Sequence, residues 1–303
     1  MPRTLPNPQA QGRIATGIPK AELRFDAPGP LRFWHLASFD APTVAVVWTL
    51  AFAWAACVRL PVWIPVLLAL TAWAVYVADR LLDARAALRI SNRLGLRERH
   101  LFHHRHRRLL APLAIIAACG AACIVFTLMP APVRERDSVL GAAALAYFTG
   151  VHSFRGFSWQ RLWANSPILR KELLVGVLFT SACALPAMSR AAAQGRMAAW
   201  PLLAAAVFYA LLAWLNCHAI DRWESEQPSA SKSRNSTAAF ILAIAGLLVA
   251  CNLQGRPAAL IAAGAGSALL LALLDRLRGR ITPLALRAAA DLVLLTPLAL
   301  LVQ

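Results

Sequence analysis

Nine apolar runs, most of them 17 to 21 residues long, follow one another along this chain, and a water-soluble core has no room for so many. An α-helix needs about 20 predominantly apolar residues to cross a bilayer, and each run supplies roughly that. They fall at 38–58, 61–79, 110–130, 138–152, 169–187, 199–219, 237–253, 257–274 and 283–302, with 138–152 the shortest. Hydrophobic residues make up 59% of the 303, and the mean hydropathy is +0.57. The reading is an all-α integral membrane protein, a nine-transmembrane-helix bundle over 38–303. Residues 1–37 hold several prolines and scattered charges but no apolar core of a cleavable signal. They are expected to form a mobile tail until Leu31, Phe33, Trp34 and Leu36 meet the interface. The six cysteines lie in or at the ends of runs without metal-type CxxC spacing, so free thiols are expected.

A net charge of +17 raises the possibility of nucleic acid, but its distribution removes the need for one. Assigning the loops alternately to two sides puts 24 Lys or Arg on the side of the N-terminus and 6 on the other, with Arg287 inside the last run. By the positive-inside rule the N-terminus is cytoplasmic and the C-terminus outside, in a bacterial-type inner membrane. The basic loops then face anionic lipid headgroups. Two of those loops, 80–109 with nine arginines and 220–236 with the polar run QPSASKSRNST, are expected to flank a site.

The acids point to that site, since only Glu135 and Asp137 of fourteen fall in loops assigned to the outside. Asp79 and Asp83 are four apart and stack on one face of a helix that continues the second run. Like charges so placed repel and need an offset. A divalent cation with phosphate oxygens supplies one, and pairing with Arg80 or Arg85 supplies another. Asn216, Ile220 and Glu224 share a face at the end of the sixth run, with Asp221 beside it. A hydrated cation would satisfy Asn216, as would a helix-end network with His218, Arg222 and Glu226. At the entry to the fifth run, Arg170 and Lys171 are placed either to neutralise a pyrophosphate or to anchor at the headgroups. Arg287 and Asp291, also four apart, read as a structural pair or as partners of a bundle neighbour. His100, His103, His104 and His106 lie among arginines that would repel a metal, which favours an interfacial basic segment. Tyr76, Tyr147 and Tyr209 present aromatic faces of the kind that stabilise a cation, or simply belong to the interfacial belt.

Together these stretches resemble the UbiA superfamily of intramembrane prenyltransferases, which have nine transmembrane helices and aspartate-rich motifs after the second and sixth. VYVADRLLD (75–83) is similar to the first motif, with Asp79 and Asp83 on its last two aspartates. NCHAIDRWE (216–224) is similar to the second, with Asn216 and Glu224 on its ends. NSTAAF (235–240) and RKELLVGVLFT (170–180) resemble the starts of the seventh and fifth helices. Val75 and Tyr76 replace the Asn-Asp pair of the first motif, and Cys217 and Ile220 replace acids in the second, which implies fewer or more weakly held cations.

The resemblance implies transfer of an isoprenyl group from an allylic prenyl diphosphate to a lipophilic acceptor, with aromatic rings among the candidates. It implies Mg²⁺ held by Asp79, Asp83, Asn216 and Glu224, diphosphate contacts from Lys171, Arg80 and Arg170, Tyr147 as a catalytic group, and Asp221 placed either to complete the metal shell or to take the acceptor proton as a catalytic base. The partners are then the prenyl diphosphate, the acceptor and membrane lipid, with no nucleic acid and no assigned oligomeric state. Two rivals use the same features: a non-catalytic transporter or lipid-binding protein of this fold, and a structural membrane subunit.

Overall fold

The computed structural model describes residues 29–90, 98–153, 171–195, 199–225 and 234–302, and among them regular structure is helical without a strand. A short helix, α1 (Pro30–Leu36), turns by 90° into α2 (Asp40–Ala55). Pro30 opens α1, where its missing N–H costs nothing. Ser38 makes the corner at φ 63°, a left-handed position that glycine or asparagine ordinarily fills. After it, Asp40 places a carboxylate on the first turn of α2, where Oδ1 accepts from the Ala41 N–H at 3.0 Å.

The chain continues through α3 (Trp63–Ile90), α4 (Glu98–Arg105), α5 (Arg107–Thr127), α6 (Ala131–Ser153), α7 (Lys171–Ala193) and α8 (Ala199–Ser225). It closes with α9 (Arg234–Asn252), α10 (Arg256–Leu277), α11 (Pro283–Leu292) and α12 (Leu298–Leu301). Six helices are long and apolar enough to cross a bilayer, and α1 with α2 makes a seventh if the bent pair is one broken span. Their number and length mark a multi-pass membrane protein. A helix lies on each of the nine predicted runs, yet Ser236–Asn252 is a shorter apolar helix and α6 carries Arg134, Glu135, Arg136 and Asp137 within its first two turns. The outer face of α5 agrees with a lipid surface, for Ile115 and Ile116 are about two-thirds exposed at 63% and 64%.

Within the segment 1–37, residues 30–36 form α1, which packs against α4 and α11 with its His35 and Leu36 buried. The core beneath joins α2, α7, α8, α9 and α10. Trp48 stacks on Tyr209 with ring centroids 3.7 Å apart, and its Nε1–H donates to the Leu294 carbonyl at 2.8 Å. That carbonyl lies where the last span breaks into a 3₁₀ turn at Val293–Leu295, ahead of Pro297. The Phe208 ring lies between Gly246 and Gly264, where a Cβ would approach it to 2.4 and 2.7 Å. Between α7 and α8, a Cβ on Gly176 would lie 2.9 Å from the Ala210 carbonyl oxygen. Small residues that let backbones approach are the usual means of joining helices in lipid, where hydrophobic burial drives nothing.

Candidate functional site

The α1–α2 corner carries the most concentrated polar chemistry in the described chain. Turning at Ser38 brings His35 back over the start of α2, so that its Nδ1 lies 2.8 Å from Asp40 Oδ2 and 3.7 Å from Asp291 Oδ2. Arg80 enters from α3, donating to Asp40 Oδ2 and to the His35 carbonyl, each at 3.0 Å. Its guanidinium carbon also lies 4.8 Å from the centre of the Tyr76 ring. From α8, Asn216 Nδ2 donates to Asp291 Oδ1 at 3.4 Å. His35, Asp40, Arg80, Asn216 and Asp291 are all buried.

A second layer surrounds this one. Glu224, two turns beyond Asn216, accepts from Arg99 through both oxygens, at 2.7 and 3.1 Å, and from Arg287 as well. Arg32 of α1 pairs with Glu98 of α4. His103 is fully buried under the corner: its Nδ1 lies 2.9 Å from the Arg99 carbonyl and must donate to it, which leaves Nε2 to accept the Ser38 hydroxyl at 3.2 Å. Burial first, and the Arg80 charge second, push the imidazole down to about 3, so it is neutral at physiological pH. Ser38 therefore occupies a position that glycine would fill more comfortably because its hydroxyl is used.

Beside these layers opens a cleft of about 1350 Å³ between α1, α4 and α11 and the ends of α8 and α10. Five arginines line it (Arg32, Arg99, Arg276, Arg278 and Arg287) against three acids (Glu98, Glu224 and Asp275), a lining balance of +2. Leu31, Ile220, Trp223 and Leu284 give it an apolar wall. Asp275 has a structural task as well, accepting from Trp223 Nε1 at 2.8 Å and from the Ser236 N–H in the first turn of α9 at 2.9 Å.

The residues expected from sequence are distributed over this arrangement rather than gathered in it. Asn216 and Glu224 share the α8 face that meets α11, as their spacing predicts. Asp79 and Asp83 lie on the uninterrupted α3, half-buried, and Asp221 is exposed. Tyr147 on α6 is within electrostatic reach of Asp79, Glu172 and Cys217, a neighbourhood where α3, α6, α7 and α8 meet. Arg170 lies outside the described residues, and Lys171 begins α7. Arg80 is taken up by Asp40 and the α1 carbonyl. Arg287 and Asp291 do not pair as a unit: Arg287 reaches Glu224, and Asp291 faces His35 and Asn216.

Among the described residues, the group of three His, Cys, Asp or Glu side chains close enough to hold an ion is His35, Asp40 and Asp291. Both oxygens of Glu224 are already held by guanidinium groups. Sequence reasoning passed over His35, Asp40 and Arg99. The available signal was Asp40 itself, an acid inside a predicted span, since ionisable groups there are rare without a task.

The fold and site define a helical, multi-pass type of membrane protein with a buried histidine–carboxylate–arginine network beside an arginine-lined cleft. No protein-family model, curated protein or solved structure matches the chain.

Proposed function

We propose that this is a membrane-embedded prenyltransferase-like protein that takes an allylic prenyl diphosphate and transfers its isoprenyl group to a lipophilic acceptor. The observation that carries the reading is the cleft: five arginines and apolar side chains line it together, a chemistry that suits an anionic headgroup on a hydrocarbon tail. In this reading the arginines neutralise the diphosphate as the allylic C–O bond breaks, and the apolar wall keeps water from the carbocation. The resemblance assigns the acceptor proton to Asp221 and the cation to the Tyr147 ring; neither residue lines this cleft, so substitution at each tests that assignment. The metal requirement of the reaction, and any role for Mg²⁺ at Asp79 and Asp83, belongs to the same test. The protein lies in a bacterial-type inner membrane with its N-terminus and cleft cytoplasmic and its C-terminus outside, the orientation favoured by its basic loops.

A second reading, binding or carriage of the amphiphile without transfer, is favoured by Glu224, whose carboxylate is committed to Arg99 and Arg287. One assay separates the two. Purified full-length protein in nanodiscs is titrated with prenyl diphosphates of graded length, with and without Mg²⁺, and pyrophosphate release is followed over a panel of aromatic acceptors. Binding with release supports transfer, binding without release supports the second reading, and no binding at any length removes both. Arg276→Gln together with Arg278→Gln should weaken binding, whereas Asp221→Asn should lower release and leave binding unchanged.

A further inference from the structure

We propose that His35, Asp40 and Asp291, with Asn216 beside them, bind one divalent transition-metal ion. One ligand atom from each of the first three lies within 4.8 Å of the others, and all three residues are buried. The second observation concerns polar atoms left without partners. His35 is 0% exposed, Asn216 3% and Asp291 8%, yet both ring nitrogens of His35, Asn216 Oδ1 and Asp291 Oδ2 have no hydrogen-bond partner. The 2.8 Å approach of His35 Nδ1 to Asp40 lacks hydrogen-bond alignment. A neutral imidazole brings one N–H, so at least three of those four atoms are lone pairs without a donor, which a native interior rarely leaves. An ion at His35 Nδ1 satisfies that nitrogen together with the Asp40 and Asp291 carboxylates, while Nε2, on the other side of the ring, is no ligand of the same ion.

The charges point the same way. Arg80 offsets Asp40 at 3.0 Å, and Glu224 engages both Arg99 and Arg287. Asp291 is left with an amide and an imidazole, so the inner set carries one carboxylate that no guanidinium contacts directly. Its ligand atoms select among cations. An imidazole nitrogen beside carboxylate and amide oxygens suits Mn²⁺, Fe²⁺ or Zn²⁺, whereas Mg²⁺ and Ca²⁺ prefer oxygen alone. Asp40 is held ready by the Arg80 guanidinium and the Ala41 N–H, the kind of outer contacts that orient a ligating carboxylate. This site is separate from Asp79 and Asp83 and does not depend on prenyl transfer.

The test uses the full chain in nanodiscs with ZnCl₂, MnCl₂ and MgCl₂ as probes, read by calorimetry and by the thermal midpoint. The expected result is about one equivalent of Zn²⁺ or Mn²⁺ bound and a midpoint that rises with ion concentration, as binding to the folded state alone requires. His35→Gln and Asp291→Asn should abolish both responses, while His100→Gln and His104→Gln on α4 should keep them. If either ligand variant fails to fold, pulsed EPR of Mn²⁺ bound to the wild type decides, because nitrogen coupling supports the site and all-oxygen coordination overturns it. No binding by the wild type, which would leave a shared proton as the occupant, binding of Mg²⁺ alone, or binding that survives both ligand variants would each overturn the proposal.

Discussion

His103 illustrates how a single buried side chain sets a pH dependence. Its imidazole, with an ordinary pKa of 6.5, is held down to about 3 by burial and by Arg80. The unfolded chain therefore binds a proton that the folded chain refuses. Stability from this residue is fully present above about pH 6.5 and falls as pH drops from there towards 3, by up to about 1.4 kcal/mol per unit. Melting curves between pH 4 and 7 should show this loss, and His103→Gln should flatten it. Arg80 makes a different prediction. Removing Asp40 alone, as Asp40→Ala, leaves a buried guanidinium facing a vacated carboxylate position and should cost about 3–5 kcal/mol in thermal or denaturant unfolding. The sequence made Asp79 and Asp83 visible because they sit four apart in an otherwise apolar helix. It hid Asp40, whose partner is forty residues away and whose role depends on the corner at Ser38.

At the scale of helices, the junction of α8, α9 and α10 depends on one ring held between two glycines. Gly246→Ala or Gly264→Ala should destabilise by about 1–3 kcal/mol, because Phe208 is buried and contacted from both sides and has little room to withdraw. Phe208→Leu should recover much of either loss, which a double-mutant cycle would measure as coupling. Helix positions were legible from hydropathy, since a run of apolar residues forms a helix in lipid whatever its neighbours are. The second apolar run ends at Asp79, and the helix expected to continue it does so as α3 to Ile90, a length of about 42 Å that exceeds the hydrocarbon core. Polar residues beyond a span keep a helix going when other helices pack against it, and α4 and α5 do so here.

For the whole molecule, topology is the direct test of the nine-span reading. Reporter fusions and cysteine labelling should put the N-terminus and the turn at 278–282 on the inner side, and the turn at 253–255 and the C-terminus on the outer. A seven-span protein, with α6 and α9 not crossing, would leave those four sites where they are and would move the α6–α7, α7–α8 and α8–α9 connections to the opposite side, so labels in those three connections decide between the two topologies. The sequence by itself determined the helical class, the membrane setting and the crowding of charge at one set of helix ends, because hydropathy and charge bias act on each segment separately. Only the tertiary structure decided which charges meet. An i, i+4 pair such as Arg287 and Asp291 can close on itself or open to other helices with equal ease along the chain. Packing α11 against α1, α2 and α8 opened it, sending Arg287 to Glu224, 63 residues away, and Asp291 to His35 and Asn216. Burial makes each such choice costly to reverse, so contacts between distant helices, rather than local spacing, fixed the polar centre.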